Sequence, residues 1–314
     1  MEHRRLGSAG SEVSLIGLGC NNFGSKLDER GTKEVVHAAL DLGITHFDTA
    51  ETYGGGKSEV FLGKALGGRR SGVIVASKFA PRTVGEAYRP GLLRRRIFEG
   101  CDTSLRRLGT DHIDLYYQHR PDPEAPVEEA LEALAELMAA GKVAYAACSN
   151  FNGQQIEEAA RISTEHGLPS FVACQIHWNL LARDVEKETV PAIRRQRMGI
   201  VPYFPLESGL LTGKYRRGSE FPAGSRLATM PRYASLLNEK NLTLIEELSE
   251  YARQRGHSLL ELAFSWLAAQ EGVASVIAGA TTPDQVFANV TAGGAWRPSA
   301  DDLKGLPSLD EMVA

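Results

Sequence analysis

The chain has 314 residues, of which 43% are hydrophobic, and its formal net charge is −4 with a pI near 6.1. The hydrophobic content is sufficient for a folded core and excludes a disordered chain. The acidic balance argues against a nucleic-acid partner, because such proteins usually carry a basic excess. The N-terminal residues contain no apolar signal sequence, and no apolar run is long enough to span a membrane, so we expect no membrane association.

Cysteine usage indicates a reducing compartment. The cysteines lie at positions 20, 101, 148 and 174 without a C-x-x-C pair, in a chain too large to depend on disulfides. We therefore predict free thiols and a cytoplasmic protein. Cys, His and carboxylate residues nowhere show the spacing of a zinc site, so no metal is predicted.

The N-terminal segment predicts a small β-hairpin, in which Arg4–Gly7 pairs with Glu12–Leu15. Beyond it, short apolar runs rich in β-branched and aromatic residues alternate with stretches of helical periodicity. The runs begin at Leu15, Ile44, Val73, Ile113, Val143, Phe171, Ile200 and Ser275. Most starts are roughly 30 residues apart, the length of a strand with its following helix. Runs that are apolar along most of their length are typical of parallel strands buried on both faces.

The periodic stretches predict helices over 31–43, 91–108 and 127–140, each of which closes on a glycine. The gap between the last two strands is too long for one repeat. It contains a stretch rich in Gly, Pro and Arg over 211–238, followed by two predicted helices over 239–255 and 258–270. A loop of that length in a compact domain is usually functional or mobile.

Eight strands alternating with helices fit either a closed barrel or an open, doubly wound sheet. The regular spacing along the whole chain favours the closed barrel. We therefore predict one α/β domain over 1–314, a (β/α)₈ TIM barrel. The N-terminal hairpin is expected to plug one end, and the long loop follows strand seven.

Three motifs of other enzyme classes fail on spacing. Gly54-Gly55-Gly56-Lys57-Ser58 has Glu51 where a Walker loop requires glycine, and Gly17-Leu18-Gly19 lacks the third glycine of a Rossmann fingerprint. The G-x-S-x-G elbow of a hydrolase is also missing. Arginine clusters such as Arg106–Arg107 lie in helical patterns beside acidic residues, and we interpret them as solvated helix faces.

Polar residues follow three consecutive predicted strands. Strand two ends in Asp48-Thr49-Ala50 with Tyr53 just beyond, strand three ends in Lys78, and strand four ends in Gln118-His119-Arg120-Pro121-Asp122. Catalytic groups of a (β/α)₈ barrel gather at the C-terminal ends of its strands, so these four side chains should meet there. Lys and Asp are rarely buried unless they are paired, so Lys78 and Asp48 are expected to pair with each other.

At these residues the chain resembles the aldo-keto reductase family, from the N-terminal hairpin to the segment Ile277–Asn289. The segments that carry the resemblance are Phe47-Asp48-Thr49-Ala50-Glu51-Thr52-Tyr53-Gly54, Ser77-Lys78, His119-Arg120-Pro121-Asp122, Cys148-Ser149-Asn150, Gln175, and Pro205-Leu206-Glu207-Ser208-Gly209-Leu210-Leu211-Thr212-Gly213-Lys214-Tyr215. They occur in order along the chain, at most one per strand. The resemblance implies the family's (β/α)₈ barrel, which binds NADPH without a Rossmann domain.

The resemblance also implies that Asp48, Tyr53, Lys78 and His119 form a catalytic tetrad. The chemistry of these residue types agrees, because carbonyl reduction requires a hydride to carbon and a proton to oxygen. Tyr53 is the expected proton donor, and the Lys78 cation is expected to lower its pKa. Asp48 would keep Lys78 charged, and His119 would orient the carbonyl oxygen.

The implied cofactor contacts lie at or after the later strands. They are Ser149, Asn150 and Gln175 at the carboxamide, Tyr203 stacked on the nicotinamide, Leu206, Ser208 and Leu210 along the pyrophosphate, and Gly279, Thr281, Gln285 and Asn289 at the adenosine phosphate. Many family members carry Lys or Arg in this last segment, whereas this chain has none there. A basic residue of the preceding loop is expected to hold the 2′-phosphate instead, and the candidates are Lys214, Arg216, Arg217 and Arg226. NADP is the expected coenzyme, with NAD as the alternative.

The leading functional hypothesis is an NADP(H)-dependent reductase of small aldehydes and ketones. The alternative is a coenzyme-binding redox sensor of the same fold with little turnover, like the family's potassium-channel β subunits. The substrate pocket is expected to include Asn22, Phe23 and Arg120. The physiological substrate and the oligomeric state stay open.

Overall fold

The computed structural model describes residues 1–81, 85–215, 217–218 and 235–307. Ten strands lie within these ranges: β1 His3–Arg5, β2 Glu12–Ser14, β3 Ile16–Gly19, β4 His46–Asp48, β5 Ile74–Phe79, β6 Ile113–Gln118, β7 Val143–Ser149, β8 Ala173–His177, β9 Gly199–Tyr203 and β10 Val276–Gly279. The helices of the same ranges are α1 Glu29–Asp41, α2 Lys57–Leu66, α3 Leu92–Leu108, α4 Val127–Ala139, α5 Gly153–His166, α6 Thr189–Arg195, α7 Glu239–Gln254, α8 Leu259–Ala268, α9 Pro283–Ala295 and α10 Ala300–Lys304.

Strands β3 to β10 form a closed parallel barrel in chain order, and β10 pairs with β3 to complete it. The register of the closing pair places Val276 opposite Ile16 and Gly279 opposite Gly19. The predicted (β/α)₈ barrel is therefore confirmed, as is the hairpin, in which β1 and β2 are antiparallel. The helices predicted over 31–43, 91–108 and 127–140 all form, with ends shifted by one or two residues.

Local sequence explains where the helices begin and end. Asn152 and Gln155 form a capping box at the start of α5, and Ser258 and Glu261 form another before α8. Helix α3 ends at Gly109, whose φ of 64° lies in the left-handed region that glycine adopts without a steric cost.

The hairpin closes the end of the barrel at which the strands begin. The Ser8 amide donates to the carbonyl oxygen of Arg197, which precedes β9. Leu6 and Val13 are fully buried in an apolar cluster inside the barrel, together with Leu115 and Val201. Polar residues lie at the opposite end of the barrel, where the strands finish.

Candidate active site

The four predicted catalytic side chains meet at the C-terminal end of the barrel. Asp48 is the last residue of β4, Lys78 lies in β5, and His119 follows β6 directly. Tyr53 lies in the turn between β4 and α2. The Lys78 Nζ is 2.6 Å from the Asp48 Oδ2 and 3.4 Å from the Tyr53 hydroxyl oxygen.

Asp48 and Lys78 form a buried ion pair with further polar partners. The Lys78 Nζ also donates to the Thr49 carbonyl oxygen at 2.8 Å, and the Gln175 amide donates to the Asp48 Oδ1 at 2.8 Å. Burial by itself lowers the pKa of Lys78, but the Asp48 carboxylate and the Tyr53 hydroxyl raise it above its ordinary value. The pair therefore places a permanent cation beneath the Tyr53 hydroxyl.

The Tyr53 phenol keeps its proton at neutral pH. Burial raises the pKa of Tyr53, and this effect exceeds the opposing influence of the Lys78 cation. The Lys78 cation does lower the pKa of Tyr53 as expected, but the sequence did not show the larger opposing effect of burial. A protonated phenol held against an ammonium group can donate a proton to a developing oxyanion.

His119 contributes a neutral ring to the same place. Its ring centroid is 5.9 Å from that of Tyr53 in an edge-on arrangement. Burial and the nearby Lys78 cation lower the pKa of His119 to about 4. The imidazole is therefore uncharged near pH 7, where it can hydrogen-bond a carbonyl oxygen without adding a second positive charge.

A cavity of about 620 Å³ opens above these side chains. Most of the predicted ligand contacts line it, and they are Asn22, Asp48, Tyr53, His119, Ser149, Asn150, Gln175, Tyr203, Leu206, Ser208, Lys214, Gly279, Thr281, Gln285 and Asn289. Lys78 lies beneath the surface with no exposed area. The cavity thus connects the tetrad to the segment after β10.

Three predicted contact residues lie away from this cavity. Phe23 and Leu210 are fully buried in the core, so neither side chain reaches the cavity surface, and their ligand contacts stay predictions. Their apolar side chains pack inward, while neighbours of each face the cavity. Arg120 is exposed beyond His119 and does not line the cavity.

Asn150 and Tyr203 are hydrogen-bonded to each other at the rim of the cavity. The Tyr203 hydroxyl donates to the Asn150 Oδ1 at 2.8 Å, and the Asn150 amide donates to the His119 carbonyl oxygen at 3.0 Å. One face of the Tyr203 ring stacks on His177 with centroids 5.3 Å apart. The ring is thus held as a flat wall of the cavity, as a stacking role requires.

The segment after β9 lines the cavity with an unusual backbone. Phe204, Glu207 and Ser208 have φ values of 52°, 39° and 58°, which are rare for residues other than glycine. The buried Glu207 carboxylate accepts from the Asn179 amide and lies 2.7 Å from the His177 Nε2. These contacts hold the backbone in a conformation that it would otherwise avoid, and such conformations cluster at functional sites.

Features of the cavity wall suit an extended ligand with polar groups. The Ser208 hydroxyl is buried and has no hydrogen-bond partner among the described residues, so it is available to a ligand. A Cβ at Gly279 would lie 3.2 Å from both the Asn21 Oδ1 and the Asn22 Nδ2, so a larger residue would narrow the groove there. These observations fit the implied dinucleotide.

One cation that could hold the 2′-phosphate lies in the described part of the loop after β9. Lys214 is exposed and lines the cavity. Arg217 instead contacts Glu239 and Glu246. Arg216 and Arg226 lie outside the described residues.

Sequence reasoning missed Lys26, which lines the cavity from the loop after β3. The signal was its position only seven residues after the end of a barrel strand. Within the described ranges, His, Cys, Asp and Glu side chains form no group of three that could hold a metal ion. Within those ranges, too, none of the helices has the length and apolar character needed to cross a membrane.

Comparison with known proteins gives an independent result. A family model described as "Aldo/keto reductase family" matches residues 15–311. The chain is 37% identical to a "Probable voltage-gated potassium channel subunit beta" of Oryza sativa subsp. japonica over 93% of this chain and 91% of that one. It is 34% identical to "Aldo-keto reductase YhdN" of Bacillus subtilis, over 99% and 94% of the two chains. It is 32% identical to the "L-glyceraldehyde 3-phosphate reductase" of Escherichia coli K12, over 100% and 93%.

Proposed function

Because this chain belongs to the aldo/keto reductase family, we propose that it is an NADP(H)-dependent reductase of aldehydes and ketones. The observation that carries the proposal is the Tyr53 hydroxyl, which lies 3.4 Å from a buried Lys78 ammonium group at the base of the cavity. We further propose that residues 1–314 act as one domain. The four cysteines are free, and we propose the reducing cytoplasm as its location.

The bound nicotinamide would supply the hydride. Tyr53 donates its proton to the carbonyl oxygen, and Lys78 stabilises the phenolate that remains. Asp48 keeps Lys78 charged and in place, with Gln175 holding the second carboxylate oxygen. His119, uncharged at neutral pH, orients the carbonyl oxygen toward Tyr53. Asn22 and Arg120 are the proposed substrate contacts.

The proposed coenzyme contacts follow the cavity away from the tetrad. Ser149, Asn150 and Gln175 would hold the carboxamide, Tyr203 would pack against the nicotinamide, Leu206 and Ser208 would line the pyrophosphate, and Gly279, Thr281, Gln285 and Asn289 would hold the adenosine end. Lys214 would neutralise the 2′-phosphate and so favour NADP over NAD.

A second candidate is a regulatory subunit that binds the coenzyme and turns over little substrate. It is favoured by the similarity to proteins named as potassium-channel β subunits. Against it, the four tetrad side chains are present with distances suited to proton transfer.

The experiment is a coenzyme titration followed by a substrate screen on the purified chain. NADPH and NADH binding is measured by tryptophan fluorescence and thermal shift. NADPH oxidation is then followed with aldehydes, ketones, sugars and a phosphorylated aldehyde, the last because of the reductase from Escherichia coli. Turnover supports the reductase, tight binding without turnover supports the regulatory subunit, and no binding of either coenzyme overturns both.

A further inference from the structure

Arg107, in helix α3, contacts the turn that carries Tyr53 from behind the cavity wall. Its Nη1 donates to the Glu51 carbonyl oxygen at 3.0 Å and to the Glu59 Oε2 at 3.1 Å. Glu51 precedes Tyr53 by two residues, and Glu59 lies in the first turn of α2. One guanidinium nitrogen therefore joins the chain on both sides of Tyr53.

The backbone between these two attachment points is rich in glycine. Gly54, Gly55 and Gly56 have φ values of 58°, 65° and 89°, and glycine moves easily among such conformations. The Arg107 guanidinium packs directly on Gly56, where a Cβ would collide with it. The glycine run that resembles a phosphate loop is thus a turn against which Arg107 packs from the side of α3.

Glu59 extends this support to the strand that carries Lys78. Its carboxylate is fully buried and accepts from the Ser77 hydroxyl at 2.6 Å. Ser77 immediately precedes Lys78 in β5. A buried carboxylate is strongly destabilising without partners, so Glu59 holds Arg107 and Ser77 together. Through this chain of contacts, the Tyr53 turn is positioned relative to Lys78.

We propose that Arg107 is a positioning residue that sets the distance between the Tyr53 hydroxyl and the Lys78 ammonium group. The inference rests on the proposed reductase function. It replaces the interpretation of Arg106–Arg107 as a solvated helix face, which holds for Arg106 alone. When Arg107 is lost, the Tyr53 hydroxyl moves away from the Lys78 ammonium group. The other residues that line the proposed coenzyme cavity stay in place.

The test uses Arg107→Met and Arg107→Lys, with Arg106→Met as the matched control. Arg106 is exposed and donates to Thr103 rather than to the turn. We expect Arg107→Met to lower kcat by roughly 10- to 100-fold, because small displacements of a catalytic group are costly. The NADPH Kd, measured by tryptophan fluorescence, should stay within about twofold. The kcat of Arg107→Lys should lie between those of the wild type and Arg107→Met, since an ammonium group keeps the charge but lacks the fixed fork of donors of a guanidinium.

Two further measurements separate positioning of Tyr53 from general damage. In a Tyr53→Phe background, Arg107→Met should cost almost nothing more, because both changes remove the same proton transfer. Hydrogen exchange on the coenzyme-free protein should show faster exchange at residues 51–56 in Arg107→Met and unchanged exchange there in Arg106→Met.

Equal losses from Arg107→Met in both backgrounds, or an unchanged kcat, would overturn the inference. A Tyr53→Phe variant that reduces carbonyls as fast as the wild type would instead refute the proposed proton-donor role of Tyr53. In that case, and for a protein without turnover, the exchange rates at 51–56 still decide whether Arg107 holds the turn.

Discussion

The two ends of the barrel are built from opposite kinds of residue. At the end where the strands begin, the hairpin inserts Leu6 and Val13 into an apolar cluster. At the end where they finish, Asp48 and Lys78 are buried as an ion pair, and Glu207 and Ser208 adopt left-handed backbone conformations. Burial of charge and strained backbone both cost stability, whereas apolar packing supplies it.

Stability and chemistry are therefore separated along the barrel axis. Changes at the hairpin end should affect folding and leave the properties of the folded site intact. Changes at the tetrad should alter the properties of the folded site and leave folding nearly unaffected. Substitutions at each end of the barrel test this separation.

The largest effect is expected from Tyr53→Phe, which removes the hydroxyl and keeps the ring. Reduction should fall by roughly 10²- to 10⁴-fold, the usual contribution of a general acid. The melting temperature and the NADPH Kd should hardly change. Steady-state kinetics with the best substrate of the screen measures the loss. Tyr88→Phe is the control, since its hydroxyl contacts Glu129 far from the tetrad, and a Tyr53→Phe enzyme as fast as this control would contradict the assignment.

The converse change is Leu6→Ala at the hairpin end. Leu6 has no exposed surface, so its truncation leaves a cavity and should cost about 2–5 kcal/mol of unfolding free energy. Urea unfolding measures this loss. Phe287→Ala provides the comparison, because Phe287 is 59% exposed and should change stability little. At a temperature where all variants are folded, kcat should match the wild type, and a tenfold lower kcat would show that the two ends are coupled.

Sequence reasoning succeeded where the pattern is repeated and failed where it depends on burial. Strand spacing predicted the barrel, and the residues at the strand ends predicted that Asp48, Tyr53, Lys78 and His119 would lie together. The lowering effect of Lys78 on the pKa of Tyr53 was predicted, but the larger opposing effect of burial was not, because the sequence does not show how deeply the hydroxyl is buried. The burial of Phe23 in the core was not predicted, because the sequence does not show which way a loop side chain turns.

The contact between Arg107 and Glu51 was equally hidden. The two residues lie 56 positions apart, and nothing in a helical pattern distinguishes Arg107 from its exposed neighbour. Only the packing of α3 against the turn after β4 brings them together.

A pH effect of intermediate size is expected from His46, beneath the tetrad. Burial lowers the pKa of His46 from 6.5 to about 4, and its Nδ1 lies 2.9 Å from the Ser275 hydroxyl oxygen. The unfolded chain takes up this proton near pH 6.5, while the folded chain does so only near pH 4. The free energy of unfolding should therefore fall as the pH is lowered through that interval, with His46 contributing about 2 kcal/mol by pH 5.

Urea unfolding of the wild type and His46→Asn at pH 7 and pH 5 isolates this contribution. The other titrating groups are shared, so the variant should lose less stability than the wild type on acidification. Equal losses would show that His46 is already charged, or is unprotonated in both states.

The smallest effect is expected from Lys214→Ala. Lys214 lines the cavity but is exposed, so solvent weakens its attraction for a phosphate. The NADPH Kd should rise by roughly tenfold, and the NADH Kd should stay nearly constant. Fluorescence titration measures both, with Lys33→Ala on the surface of α1 as the control. Equal weakening of both coenzymes would place the 2′-phosphate elsewhere.

Gln175 connects the cavity thermodynamically to the buried Asp48–Lys78 ion pair. It lines the cavity, and its amide donates to the Asp48 Oδ1 at 2.8 Å. A ligand that engages Gln175 in the cavity therefore acts on the Asp48–Lys78 pair as well. Coupling between two sites is reciprocal, so the factor by which a ligand strengthens or weakens that pair equals the factor by which the pair changes the ligand's affinity. The Gln175 amide therefore couples the cavity to the Asp48–Lys78 ion pair.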